Sequence, residues 1–130
     1  MEEILLISTE LAVIVISYLL GCICFAYYAS SIVHKKDIRT IGSGNPGSSN
    51  IGRQFGVLWF IPVLLLDALK GFIVVIFVNH FEFAMWVKSV SILAVIIGHI
   101  WPVQLSFNGG KGLATVMGVA LGFNYFIVLG

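Results

Sequence analysis

Charge is scarce in this 130-residue chain: Asp, Glu, Lys and Arg together make up 10% of it, against 59% hydrophobic residues. Soluble domains carry roughly a quarter charged residues, so this composition excludes that class and indicates an integral membrane protein. A net charge of +1 carries no information on nucleic acid, and no such partner is expected. Cysteine is limited to Cys22 and Cys24, two apart in an apolar stretch. Helical geometry sends them to nearly opposite sides, so neither a shared metal nor a disulfide is expected, and no cofactor is expected. Basic residues are missing before Glu10, while Glu2 and Glu3 sit at the very start. That is the reverse of a secretory leader, so the start is expected to be retained. Low-complexity tracts and clear internal repeats are lacking as well.

What the chain has is long apolar runs, with room for about four spans of ~20 residues. Residues 11–33, 57–78, 84–101 and 113–129 predict four transmembrane helices in a single all-α polytopic bundle, with polar loops at 34–56 and 102–112. Lys35, Lys36, Arg39 and Arg53 put four of the seven Lys and Arg residues into the first of these loops. By the positive-inside rule that loop is cytoplasmic and the N-terminus lies outside, which puts the second loop on the cytoplasmic side too. Pro62 is tolerable as a kink in the second span, and Lys88 is expected to snorkel to the headgroups. Ala114, Gly118 and Gly122 recur every four residues, a small stripe against which another helix can pack closely. The chain stops at the tip of an apolar segment without a polar tail, which predicts a truncated form or a piece of a longer protein.

Two polar islands interrupt the apolar runs. The first, Gly42-Ser43-Gly44-Asn45-Pro46-Gly47-Ser48-Ser49-Asn50-Ile51-Gly52-Arg53, combines backbone freedom, neutral hydrogen-bonding groups and one guanidinium. Glycine-rich loops turn N–H groups toward anions, and Arg grips two phosphate oxygens at once, so a phosphate site competes here with a plain flexible connector. The island formally contains G-x-G-x-x-G, but its flanks are spans rather than a βαβ unit, which argues against dinucleotide binding. In the second island, Gly109-Gly110-Lys111-Gly112 stands at the start of the fourth helix, whose dipole also favours anions. His99, just before Trp101-Pro102, is either a helix-end cap or a group that acts as a general base or donates to a phosphate near neutral pH. Asp67 and Lys70 lie three apart on one helix face and must point inward or toward water, as an internal ion pair or toward a polar substrate. Ser43 and Ser106 are possible nucleophiles, although no His or acid stands beside either in sequence.

Ser43-Gly-Asn-Pro-Gly-Ser-Ser-Asn50-Ile-Gly-Arg53 and Gly98-His99-(x2)-Pro102-(x4)-Phe107-Asn108-Gly-Gly-Lys111-Gly112 resemble two signature motifs of the bacterial membrane glycerol-3-phosphate acyltransferases that use acyl phosphate. Asp67-(x2)-Lys70-Gly71 is similar to that family's second helix. The resemblance implies a seven-helix enzyme of the bacterial inner membrane, of which four spans are present, with active-site loops in the cytoplasm. It implies transfer of an acyl group from acyl phosphate to the 1-hydroxyl of glycerol 3-phosphate, without a metal, in phospholipid biosynthesis. Membrane lipid and the soluble enzyme that makes acyl phosphate are the implied partners. Carried onto this chain, it makes His99 the first choice for base, with Asp67 or a substrate phosphate as alternatives. Gly44, Asn45, Gly47, Asn50, Arg53, Lys70, Ser106, Asn108, Gly109, Gly110, Lys111 and Gly112 become phosphate or substrate ligands around Ser43. Two departures stand out: Ser48-Ser49 replaces the usual Ala-Thr, and the family's third motif, with an Asn and a Glu, has no counterpart. A non-enzymatic half-transporter for a phosphorylated solute, or an inactive fragment of the enzyme, would share most of these features.

Overall fold

The computed structural model describes residues 1–129 as six α-helices without strands. They are α1 (Glu2–Gly21), α2 (Phe25–Val33), α3 (Ser48–Phe55), α4 (Val57–His80), α5 (Met85–Ile100) and α6 (Leu113–Leu129). Short 3-10 turns occupy Ile38–Thr40 and Val103–Leu105. Three stretches, Glu2–Gly21, Val57–His80 and Met85–Leu105, are long and apolar enough to cross a membrane, and α6 is a shorter apolar helix. Large side chains such as Leu65, Leu93 and Leu121 are exposed. On a multi-pass membrane protein that outer surface faces lipid, so their exposure carries no penalty.

The first apolar run is not the single helix 11–33 that its composition predicts. It begins at Glu2 and breaks between Gly21 and Phe25. A helix end inside an apolar layer leaves carbonyls without partners, and it survives only where neighbours supply donors. Here Lys70 Nζ donates to the carbonyls of Gly21 (3.0 Å) and Ile23 (2.8 Å), while Gln104 Nε2 donates to that of Cys22. Three consecutive carbonyls are thus satisfied from α4 and from the loop after α5. The first polar loop, expected to be irregular over 34–56, contains α3, bounded by Gly47 and Gly56.

The bundle is organised as two closely packed pairs, α1 with α5 and α4 with α6. Each pair depends on glycine at its contact: a Cβ on Gly98 would strike the Tyr18 carbonyl, and one on Gly118 would strike the Ala68 carbonyl. Between the pairs lies a valine-rich core of Val13, Val74, Val75, Val78, Val95 and Val119. A second cluster, Ala26, Ile38, Ile51 and Val63, seats the first polar loop on α2 and α4.

Candidate functional site

The first island owes its shape to two side chains. Asp37 accepts from the Arg39 backbone N–H at 2.9 Å and pairs with its guanidinium, also at 2.9 Å. The hydrogen bond from the Arg39 guanidinium, assisted by that from its backbone N–H, lowers the Asp37 carboxyl from its ordinary value. Arg39 lies over the Tyr27 ring and donates to the Leu105 carbonyl at 2.9 Å, joining the first island to the second. Asn50, fully buried, donates to the carbonyls of Ile38 (3.2 Å) and Ile41 (3.0 Å) and accepts from the Ser43 N–H (3.3 Å). The loop closes tightly around that amide. Gly42 takes φ +57°, and a Cβ there would collide with Asn50 Oδ1.

The second island doubles back on the end of α5. Ser106 and Phe107 both adopt left-handed backbone (φ 55° and 60°), a conformation that costs energy in non-glycine residues. Gly109 and Gly110 then donate their N–H groups to the carbonyls of Ile100 and His99, each at 3.0 Å. This reversal brings Gly110 against the His99 ring and Lys111 to the same cavity as His99.

A cavity of about 210 Å³ opens where the islands meet. Its walls are Ser43, Asn45 and Gly47, the first turn of α3 from Ser48 to Asn50, Arg53, and the segment from Lys111 to Ala114 that begins α6. No side chain caps α3, so the N–H groups of its first turn are free to meet an anion, and the start of α6 lines the same cavity. Arg53 and Lys111 are both exposed. Asp67 and His99 form the floor, 1% and 3% exposed. Behind them sits Lys70, 2% exposed, with Nζ 2.7 Å from His99 Nδ1 and 3.1 Å from Asp67 Oδ1.

The structure therefore brings together Ser43, Asn45, Gly47, Asn50, Arg53, Asp67, His99, Lys111 and Gly112 from the expected set. The remaining members stand outside the cavity wall. Lys70 is behind the floor because its donors are taken by backbone carbonyls and His99. Gly109 and Gly110 hold the chain reversal, and Ser106 and Asn108 are exposed on its outer side. Gly44 takes φ +72° within the loop and packs toward the Arg39 carbonyl. Cavity residues beyond the expected set are Ser48, Ser49, Leu113 and Ala114; only the serines carried a signal, as polar groups within the island. Arg39, in sequence a topology signal, also ties the islands together, and the Asp37-x-Arg39 spacing is the local cue to its ion pair. Among the described residues, no three His, Cys, Asp or Glu side chains group as a metal site.

A family model described as glycerol-3-phosphate acyltransferase matches residues 11–130. The chain is 46% identical over 123 residues to glycerol-3-phosphate acyltransferase 1 of Bacillus cereus, covering 94% of itself and 67% of that protein. It is 42% identical over 118 residues to the glycerol-3-phosphate acyltransferase of Ehrlichia canis, covering 91% of itself and 61% of that relative. Among solved structures it resembles PlsY, an integral membrane glycerol 3-phosphate acyltransferase, in its glycerol 3-phosphate form (TM-score 0.78) and its lysophosphatidic acid form (0.79), at 37% identity in both. It covers 92% and 93% of itself in these matches, and spans 63% and 60% of the respective PlsY chains. With nearly its whole length matched in both sequence and helix arrangement, this chain belongs to the glycerol-3-phosphate acyltransferase family.

Proposed function

We propose that the cavity is a site of acyl transfer from acyl phosphate to the 1-hydroxyl of glycerol 3-phosphate, giving 1-acyl-glycerol 3-phosphate and inorganic phosphate. The observation that carries this reading is the convergence of two helix N-termini, Arg53 and Lys111 on one cavity. Helix ends and cations of this kind bind phosphoryl oxygens, and both substrates are phosphorylated. In the reaction the hydroxyl oxygen bonds to the carbonyl carbon, the bond from that carbon to the phosphate oxygen breaks, and the hydroxyl proton passes to a basic atom in the cavity. Phosphate is a good leaving group, so placement and charge stabilisation provide much of the rate. A shallow groove over Gly52, Val57 and Phe60 shares Ser49 and Arg53 with the cavity and offers an acyl chain an apolar path toward lipid. The ligand forms of PlsY, a relative in which glycerol 3-phosphate and lysophosphatidic acid are bound, support the same assignment.

In the cell, the reading puts the chain in the bacterial inner membrane with its N-terminus outside and both islands in the cytoplasm, where a soluble enzyme supplies acyl phosphate. Labelling of single cysteines introduced at Glu2 and Lys35 from either side of the membrane tests this sidedness.

The activity test incubates the chain in sealed lipid vesicles with acyl phosphate and labelled glycerol 3-phosphate, alone and co-assembled with the remaining third of the Bacillus cereus relative. Lysophosphatidic acid formed in equal amount with phosphate supports the proposal. Label that crosses vesicles without product, in both preparations, overturns it in favour of a transporter.

A further inference from the structure

The buried trio beneath the cavity determines which edge of His99 a ligand meets. An ammonium has three protons and no lone pair. At Lys70 these protons have three hydrogen-bonded acceptors: the carbonyls of Gly21 and Ile23, and His99 Nδ1 at 2.7 Å. Asp67 Oδ1, 3.1 Å from Nζ, competes as a fourth acceptor, but the shortest contact of the ammonium is to His99 Nδ1, and at 3.7 Å Oδ1 is too far from Nδ1 to receive a proton from it. A proton on Nδ1 would therefore face a cation with no acceptor. The lone pair of the imidazole must lie at Nδ1, and its proton at Nε2.

We infer that Lys70 is a positioning residue that fixes His99 as the Nε2–H tautomer, so that the imidazole meets an anion in the cavity as a hydrogen-bond donor and not as a proton acceptor. This rests on the reading of the cavity as a phosphate site. Gly110 contributes by its lack of a side chain: its backbone lies beside the Nε2 edge, and a Cβ there would strike Nε2. Among the described residues no protein group hydrogen-bonds Nε2, which leaves that edge available to a ligand. His99, the first choice for base from sequence, is thereby reassigned. Its basic nitrogen points away from the substrate and is already bonded.

The test needs no turnover. Protein labelled with 15N-histidine, in nanodiscs, gives ring nitrogen resonances for His34, His80 and His99, and the His99 set is identified by its loss in His99→Gln. The expected spectrum has the proton on Nε2 and a bare Nδ1, and inorganic phosphate shifts the Nε2–H resonance. Lys70→Met is expected to yield a mixture of tautomers and Lys70→Arg to keep the native one. If Lys70→Met does not fold, the wild-type spectrum and Lys70→Arg decide. A proton on Nδ1 in the wild type, or an unchanged pattern in folded Lys70→Met, overturns the inference. Phosphate that leaves Nε2–H unmoved overturns the donor role while the tautomer assignment stands. Absence of acyl transfer with the tautomer and phosphate response intact counts against the proposed reaction alone.

Discussion

Arg39 reaches across 66 residues of sequence to donate from Nη1 to the Leu105 carbonyl, and so fastens one motif loop to the other. Arg53 lies on α3 and Lys111 just before α6, both packed on α4, and this bond adds a direct tie between their loops.

Arg39→Ala should loosen that tie. Charge-assisted hydrogen bonds contribute about 1.5–3 kcal/mol, and Arg39 is partly solvated, so the lower end of that range is expected for the loss in thermal stability. The same variant should raise KM for both substrates. The pH dependence has a defined sign: Asp37 ionises more readily folded than unfolded because Arg39 hydrogen-bonds it. Its stabilisation is complete above the ordinary carboxylate pKa of about 3.9 and fades as pH falls toward the lower folded value. Thermal melts from pH 6 down to about pH 3 should show this loss in the wild type and its absence in Asp37→Asn.

Removing either Asp67 or Lys70 leaves a buried charge without its partner, a change that costs about 3–5 kcal/mol in comparable sites. Exchanging the two residues restores neutrality but moves the ammonium away from the carbonyls of Gly21 and Ile23. The exchanged protein should recover folding in part and acyl transfer not at all. Full activity in it would show that the pair serves only to hold the bundle.

Truncating His99 to Ala removes the donor at the cavity floor and should lower kcat by on the order of 10²-fold, the usual loss for one preorganised donor. His99→Gln keeps an N–H at the end of its side chain and should lose less. Equal losses in the two variants would argue against a donor role.

Arg53→Ala and Lys111→Ala should each raise KM for a phosphorylated substrate by about 10- to 100-fold, the equivalent of one lost charge-assisted contact. Binding of labelled glycerol 3-phosphate to each variant, measured beside acyl phosphate competition, will show which cation serves which phosphate.

Much of this organisation was legible in the residues. Long apolar runs announced the helices, and α6 covers Leu113–Leu129, the stretch expected from hydropathy. The polar islands stood out by composition, and their convergence follows from their shared sidedness. What composition hid was long-range: the break at Cys22 depends on donors from Lys70 and Gln104, 49 and 82 positions away from the carbonyls they reach. No local period encodes such a partnership. The short helix α3 was hidden for the opposite reason, since Gly47, Gly52 and Gly56 within and around eight residues read locally as a loop. Lys70 looked like a ligand because intramembrane charge usually marks function, and only the geometry reveals that backbone carbonyls and His99 already occupy it.

The interruption of the first span and the floor of the cavity share one side chain. The ammonium that meets the carbonyls of Gly21 and Ile23 also contacts His99, so a change that disturbs the seam between α1 and α4 reaches the imidazole through a single group.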